Sequence, residues 1–128
     1  MTTVFVYDAG ALVAADRGDK RMAALHRHIL ATSDAPPVVP VVVLAQVWRG
    51  GPQPLLSRLL KDCEIAPDTE SVGRIAGRVC TAARTSDVVD GIVVAIALAM
   101  RAGVITSDPD DLRHLAGAIG RRLATVVV

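Results

Sequence analysis

Aromatic side chains are almost missing from this chain, which has one Phe, one Tyr and one Trp among 128 residues. Hydrophobic residues still make up 52%, so the core has to be built from Val, Ala, Leu and Ile, and no platform of exposed rings for stacking bases is expected. Two cysteines, Cys63 and Cys80, are too few and too loosely placed for a disulfide framework or a zinc site. Both are expected to be reduced and buried. Charge of one sign is also lacking: fourteen basic against thirteen acidic residues leave +1, which gives no global attraction to nucleic acid or anionic lipid. Any polyanion would have to be met by a local basic surface, and twelve of the fourteen bases are Arg, whose planar fork suits phosphate oxygens. Long apolar runs are absent. Val38 to Trp48 and Ile92 to Met100 fall short of the roughly 20 residues that span a bilayer, and MTTVFVYDAG has neither a basic n-region nor a cleavage pattern. A single soluble, cytoplasmic domain over residues 1–128 with no membrane partner is expected.

What is present is organised around SDVVDGIVVAIALAMRAGVITSDPDD, residues 86–111. Two aspartates open an apolar helical run, Gly103 turns it, a β-prone segment Val104 to Thr106 follows, and three more aspartates close it. Elsewhere Thr3 to Tyr7 reads as a central strand and Ala11 to Asp16 as a short helix. Lys20 to Ala31 is amphipathic, with Met22, Leu25, Ile29 and Leu30 on one face and Arg21, His26, Arg27 and His28 assigned to the other. A short strand Val38-Val39 precedes a helix Val41 to Arg49, started by Pro40 and stopped by Gly50. Pro54 to Leu60 is helical, Cys63 to Ala66 an edge strand, Glu70 to Ala83 and Pro109 to Ala118 helices, and Leu123 to Val128 a last strand. Alternating strands and helices call for an α/β fold in three layers, with a central, mainly parallel sheet and right-handed crossovers.

Ligands of such sheets sit outside the carboxyl ends of the strands. Asp8 ends the first strand, Asp108 follows the Val104 strand, and a helix lying antiparallel to that strand brings Asp90 back beside it. Each acid has an ordinary competing role. Asp87 and Asp90 fit a capping box, and Asp108-Pro109-Asp110-Asp111 reads as a cap followed by residues favoured by the helix dipole. Asp8 is the exception, because it closes an apolar strand and begins no evident long helix. Two carboxylates about 4 Å apart repel by roughly 4 kcal/mol at an effective dielectric near 20, so a cation is expected between them. All-oxygen ligands favour Mg2+ or Mn2+ over zinc, and such an ion suits phosphodiester hydrolysis.

DAGALVAA at 8–15, VVVLAQVWRGG at 41–51, SDVVDGIVVAIALA at 86–99 and TSDPDDL at 106–112 resemble the four acidic motifs of the PIN-domain family, and among them those of VapC-type ribonuclease toxins of bacterial toxin–antitoxin pairs. The resemblance runs over nearly the whole chain. It implies a PIN-like fold and a Mg2+-dependent endoribonuclease, with Mn2+ able to substitute, whose catalytic and metal-binding residues are Asp8, Asp90 and Asp108. Asp110 or Asp111 would assist from further out, and Thr106 or Ser107 would hydrogen-bond the site. It also implies a cognate antitoxin that covers the acidic cleft and carries operator DNA binding, and a homodimer. The family's second motif carries Glu where this chain has Gln46. Gln keeps an oxygen donor but loses a negative charge and cannot act as a base, so either metal binding is weakened or the domain is catalytically silent and serves as an RNA- or antitoxin-binding module.

Arg49, placed one turn beyond Gln46, is the first candidate for RNA-backbone contact, with Arg17 and Arg113 behind it. Trp48 is assigned to core packing or a protein interface. His26, His28 and His114 show no ligand spacing and are assigned to surfaces or helix faces. No glycine-rich loop follows the first strand, which leaves a dinucleotide or P-loop site unsupported.

Overall fold

The computed structural model describes residues 3–128. Five strands, β1 (Phe5–Tyr7), β2 (Val38–Pro40), β3 (Glu64–Ala66), β4 (Gly103–Thr106) and β5 (Thr125–Val127), form one sheet in the order β3-β2-β1-β4-β5. All four pairings are parallel. Seven helices fill the crossovers: α1 (Ala9–Asp16), α2 (Lys20–Thr32), α3 (Val41–Val47), α4 (Pro54–Leu60), α5 (Glu70–Ala83), α6 (Val88–Met100) and α7 (Pro109–Ala118). Helix α1 packs on α2, α3 and α4, while α5, α6 and α7 pack on one another. Right-handed crossovers put these two groups on opposite faces of the sheet. The result is a three-layer α/β/α fold with an all-parallel central sheet.

Strand β1 is central because its apolar residues have to be covered on both sides: Val6 and Tyr7 are fully buried. Helix α6 is nearly as apolar, with every residue from Gly91 to Ala97 buried. Gly91 lets α6 approach α5, since a Cβ there would lie 2.7 Å from Cys80 Sγ and 3.3 Å from the Ala76 carbonyl oxygen. Val, Leu, Ile and Ala supply most of the core, and Tyr7 is its one fully buried aromatic. Both cysteines are free, Cys80 buried and Cys63 half-buried.

The structure departs from the sequence reading at several points. Helix α1 begins directly at Ala9, so Asp8 is its N-cap, accepting the Ala9 N–H at 2.8 Å. Helix α3 stops at Val47, two residues before the expected Arg49, while its start at Val41 is as expected, with Pro40 ending β2 and standing as the N-cap of α3. The cause of the early stop is Gln53: its Oε1 accepts from Arg49 N at 2.8 Å and its Nε2 donates to the Val47 carbonyl at 3.1 Å. Those side-chain bonds replace the next helical turn. Trp48 is 43% exposed, which rules out core packing as its role.

His26 is the largest correction among the histidines. It lies on the buried face of α2 with Met22 and Ile29. The Tyr7 hydroxyl lies 2.7 Å from Nδ1, and Nε2 lies 2.9 Å from Asp62 Oδ2. A neutral ring protonated on Nε2 satisfies both contacts, with Tyr7 donating and Asp62 accepting. His28 and His114 are exposed as expected.

Candidate functional site

The pairing of β1 with β4 sets Tyr7 beside Ile105, and it continues one step further, with Asp8 N donating to the Ile105 carbonyl at 3.0 Å. Asp8 and Thr106 are thereby neighbours at the carboxyl edge of the sheet. Thr106 Oγ1 donates to Asp8 Oδ2 at 2.9 Å and accepts the Asp108 N–H at 3.0 Å. One fully buried hydroxyl thus ties the Asp8 carboxylate to the backbone of Asp108. Gly10 permits the close approach of α1 to the same loop, because a Cβ there would lie 2.7 Å from both Cβ and N of Ser107.

Asp90 enters from the first turn of α6. Asp87 caps that helix, accepting the Asp90 N–H at 3.3 Å. The reciprocal half of a capping box is not formed, because the Asp87 N–H goes to Thr85 Oγ1 at 3.2 Å. Asp108 stands at the N-cap of α7 without a side-chain capping bond. Capping therefore uses the side chain of Asp87 and one oxygen of Asp8, while neither Asp90 nor Asp108 caps a helix with its carboxyl group.

Electrostatics set this rim apart. Burial first, then the charges of Asp87 and Asp8, push the Asp90 carboxyl up to about 7. Asp111 is also raised, through its hydrogen bond to the Asp108 carboxyl first and then by charge repulsion from that group. Asp8 and Asp90 form one interacting set, and Asp108 and Asp111 a second, joined to the first by Asp87 and Thr106. Among the described residues the ion pairs are His26 with Asp62 and Arg74 with Glu70, so no basic side chain neutralises the rim. Nor, among the described residues, do three acid, His or Cys side chains already close on a gap of metal size. The donors are all hard carboxylate oxygens with uncompensated charge, which is the set Mg2+ takes, and that ion needs few protein ligands because it keeps several waters.

Gln46 is exposed on α3, a helix that packs against α6. Arg49 lies in the loop beyond α3, exposed, its Nη1 donating to the Trp48 carbonyl at 3.3 Å. Arg113 turns away from the acids: its Nη2 donates to Thr125 Oγ1 at 2.6 Å, and Thr125 pairs with Val104 towards the amino end of the sheet. Arg17 caps the end of α1. Sequence reasoning missed Gly10 and Gln53. The only signal for Gly10 is its place two residues after Asp8, and Gln53 gives none, because its partners are set by the loop's fold.

The all-parallel five-stranded sheet with helices on both faces and acids along its carboxyl edge defines a three-layer α/β/α protein. Neither a family model nor a curated protein sequence matches the chain, but solved structures do. A chain of the VapBC2 structure from Rickettsia felis, bound to a DNA fragment from its promoter, superposes with a TM-score of 0.78 at 13% identity, covering 98% of each chain. FitAcB from Neisseria gonorrhoeae gives 0.68 at 16% identity over 94% of this chain and 95% of that one. A toxin–antitoxin complex from Klebsiella pneumoniae gives 0.67 at 16% identity over 83% and 88%. The chain shares the fold of the chains matched in these three structures.

Proposed function

We propose that this chain is the toxin of a toxin–antitoxin pair, acting as a divalent-metal-dependent endoribonuclease at Asp8, Asp90 and Asp108. The observation that carries the reading is the uncompensated rim, where the Asp90 carboxyl is pushed up to about 7 beside Asp8 with no basic partner. Perturbed acids gathered in this way mark functional sites. Asp8, Asp90 and Asp108 would hold Mg2+, or Mn2+ in its place, and the ion would supply Lewis acidity and a nucleophile for phosphodiester hydrolysis. Thr106 fixes the orientation of Asp8 and the position of Asp108. Asp90, once ionised, supplies charge that holds the cation. Arg49, exposed in the loop after α3, contacts the RNA backbone.

The antitoxin would cover the acidic rim, and the cleft of about 450 Å3 between α2 and α4, where Leu30 and Leu55 are 44% and 42% exposed, would offer an apolar surface to it or to a second copy of the chain. Operator DNA is then reached through the antitoxin, and the toxin itself works as a cytoplasmic homodimer. A second reading rests on Gln46: without the usual acid the domain is catalytically silent and binds RNA or antitoxin only.

The test is cleavage of structured RNA by the purified protein with Mg2+, Mn2+ or a chelator, alongside Asp8→Asn and Asp90→Asn. Metal-dependent cleavage lost in both variants supports the nuclease. Tight Mn2+ binding without cleavage favours the silent module, and cleavage that survives both substitutions removes the rim from the chemistry.

A further inference from the structure

The amino end of the sheet carries a different electrostatic feature. A pocket of about 400 Å3 is lined by Arg101, Arg121 and Arg122 together with Leu98, Gly103 and Ala124. Three stretches of chain converge there: the end of α6, the start of β4, and the segment entering β5. All three arginines are exposed, and among the described residues none reaches a carboxylate within 4 Å, since the ion pairs formed lie elsewhere. Arg113 lies outside the pocket lining, its Nη2 donating to Thr125 Oγ1, one residue after Ala124 in the chain.

We propose that this arginine cradle binds the phosphodiester backbone of a nucleic-acid strand, at a site separate from the acidic rim. A chain with a net charge of only +1 has no general affinity for polyanions, so concentrating unpaired guanidinium groups in one concave place creates a local field that the whole molecule lacks. The ligand is a polymer because exposed arginines gain little from one small anion, an exposed ion pair contributing about 0–1 kcal/mol. A strand that meets several of them releases several counterions at once. No aromatic residue lines the pocket, so the contact reads backbone and not base. Strand β4 joins the two ends: Gly103 lies at the cradle and Thr106 at the rim, roughly 10 Å apart at about 3.3 Å per residue. The acids repel a strand that the arginines hold, and the two sites act on a polyanion with opposite sign.

The experiment is fluorescence anisotropy of a labelled single-stranded RNA, in chelator so that nothing is cut, against the wild type, Arg121→Glu/Arg122→Glu and Asp8→Asn. Arg101 is left unchanged because it caps α6 in a left-handed conformation, and thermal melting checks that the variants fold. The double variant should lose at least about tenfold in affinity and lower the salt slope by about 1.4, the value for two phosphates on a single strand. Asp8→Asn should bind as tightly as the wild type or better, which separates this site from the proposed nuclease centre whatever becomes of that centre. Unchanged affinity and slope in the double variant overturn the proposal. So does displacement of the RNA by low-millimolar inorganic phosphate, which would mark a small-anion site, or a change of oligomeric state by sedimentation with RNA binding intact, which would mark a protein interface.

Discussion

Tyr7 and Asp8 are adjacent at the end of β1, and each touches a group of acids and polar residues, yet the two groups are built to opposite ends. Around Tyr7 every group has a partner: the Tyr7 hydroxyl meets His26 Nδ1, and His26 Nε2 meets Asp62. Around Asp8 the acids Asp87, Asp90, Asp108 and Asp111 face one another without a cation. A satisfied network of this kind fixes a core. An unsatisfied one is held in place only because the rest of the fold over-determines it, and it costs the fold stability. The difference sets a partnered carboxylate apart from unpartnered ones, and it can be tested by removing charges on each side.

The largest effect belongs to the open side. Asp8→Asn and Asp90→Asn should each reduce metal-dependent RNA cleavage by at least about 100-fold, the scale for losing a group that stabilises developing charge, measured as initial rates at saturating Mg2+. The same substitution at Asp90 should stabilise the metal-free protein. The folded-state carboxyl titrates near 7 against about 3.9 in the unfolded chain, so the folded state binds the extra proton between those values and stability falls as pH rises from about 4 to 7. Asn removes that loss. After allowance for solvent screening of a half-exposed group the gain is about 1–2 kcal/mol at pH 8. Asp62→Asn, which breaks a partnered carboxylate, should instead destabilise by about 0.5–1 kcal/mol, since the Asp62 side chain is 43% exposed. Equal signs in the two melting experiments would erase the distinction between the regions.

On the closed side, His26→Ala leaves the buried Tyr7 hydroxyl without its partner and opens a cavity beneath α2. A loss of about 2–4 kcal/mol is expected by denaturant unfolding, with the metal dependence of the remaining folded protein unchanged. Gly10→Ala bridges the two cases. Its new methyl meets the backbone of Ser107 at 2.7 Å, and the shift needed should cost about 1–3 kcal/mol while moving Asp8 away from Asp108. Stability and cleavage should therefore fall together, in contrast to Asp90→Asn, where one rises as the other falls.

Much of the architecture was legible because the signals were local. Pro54, Thr69, Asp87 and Pro109 mark helix starts that the structure keeps, and the apolar run of Thr3 to Tyr7 marked the central strand. Legibility failed where a residue's partner lies far along the chain. His26 follows Met22 by four and precedes Ile29 by three, so its place on the buried face could have been read from the helical period. Its polarity argued the other way, and only the tertiary contacts with Tyr7 and Asp62 reverse that. The acids show the same limit. Asp87, Asp90 and Asp108 all occupy capping positions in the sequence, and nothing local tells that Asp87 caps α6 while Asp108 makes no side-chain cap and meets Asp111 instead.

Gln46 is where the two regions come closest to each other in logic, because an amide there lowers the negative charge that the open side otherwise accumulates. It stands exposed on α3, which packs against the helix carrying Asp90. Gln46→Glu adds one carboxylate. If the added charge reaches the rim, it should raise the Asp90 carboxyl further in the metal-free protein and strengthen Mn2+ binding, because a cation gains from each anionic neighbour what the acids lose to one another. At an exposed position a gain of a few-fold in Mn2+ affinity by calorimetry is expected, of the order of 1 kcal/mol, together with a steeper fall of metal-free stability with pH. Neither change would appear if residue 46 faced only solvent, and the rim would then consist of the aspartates alone.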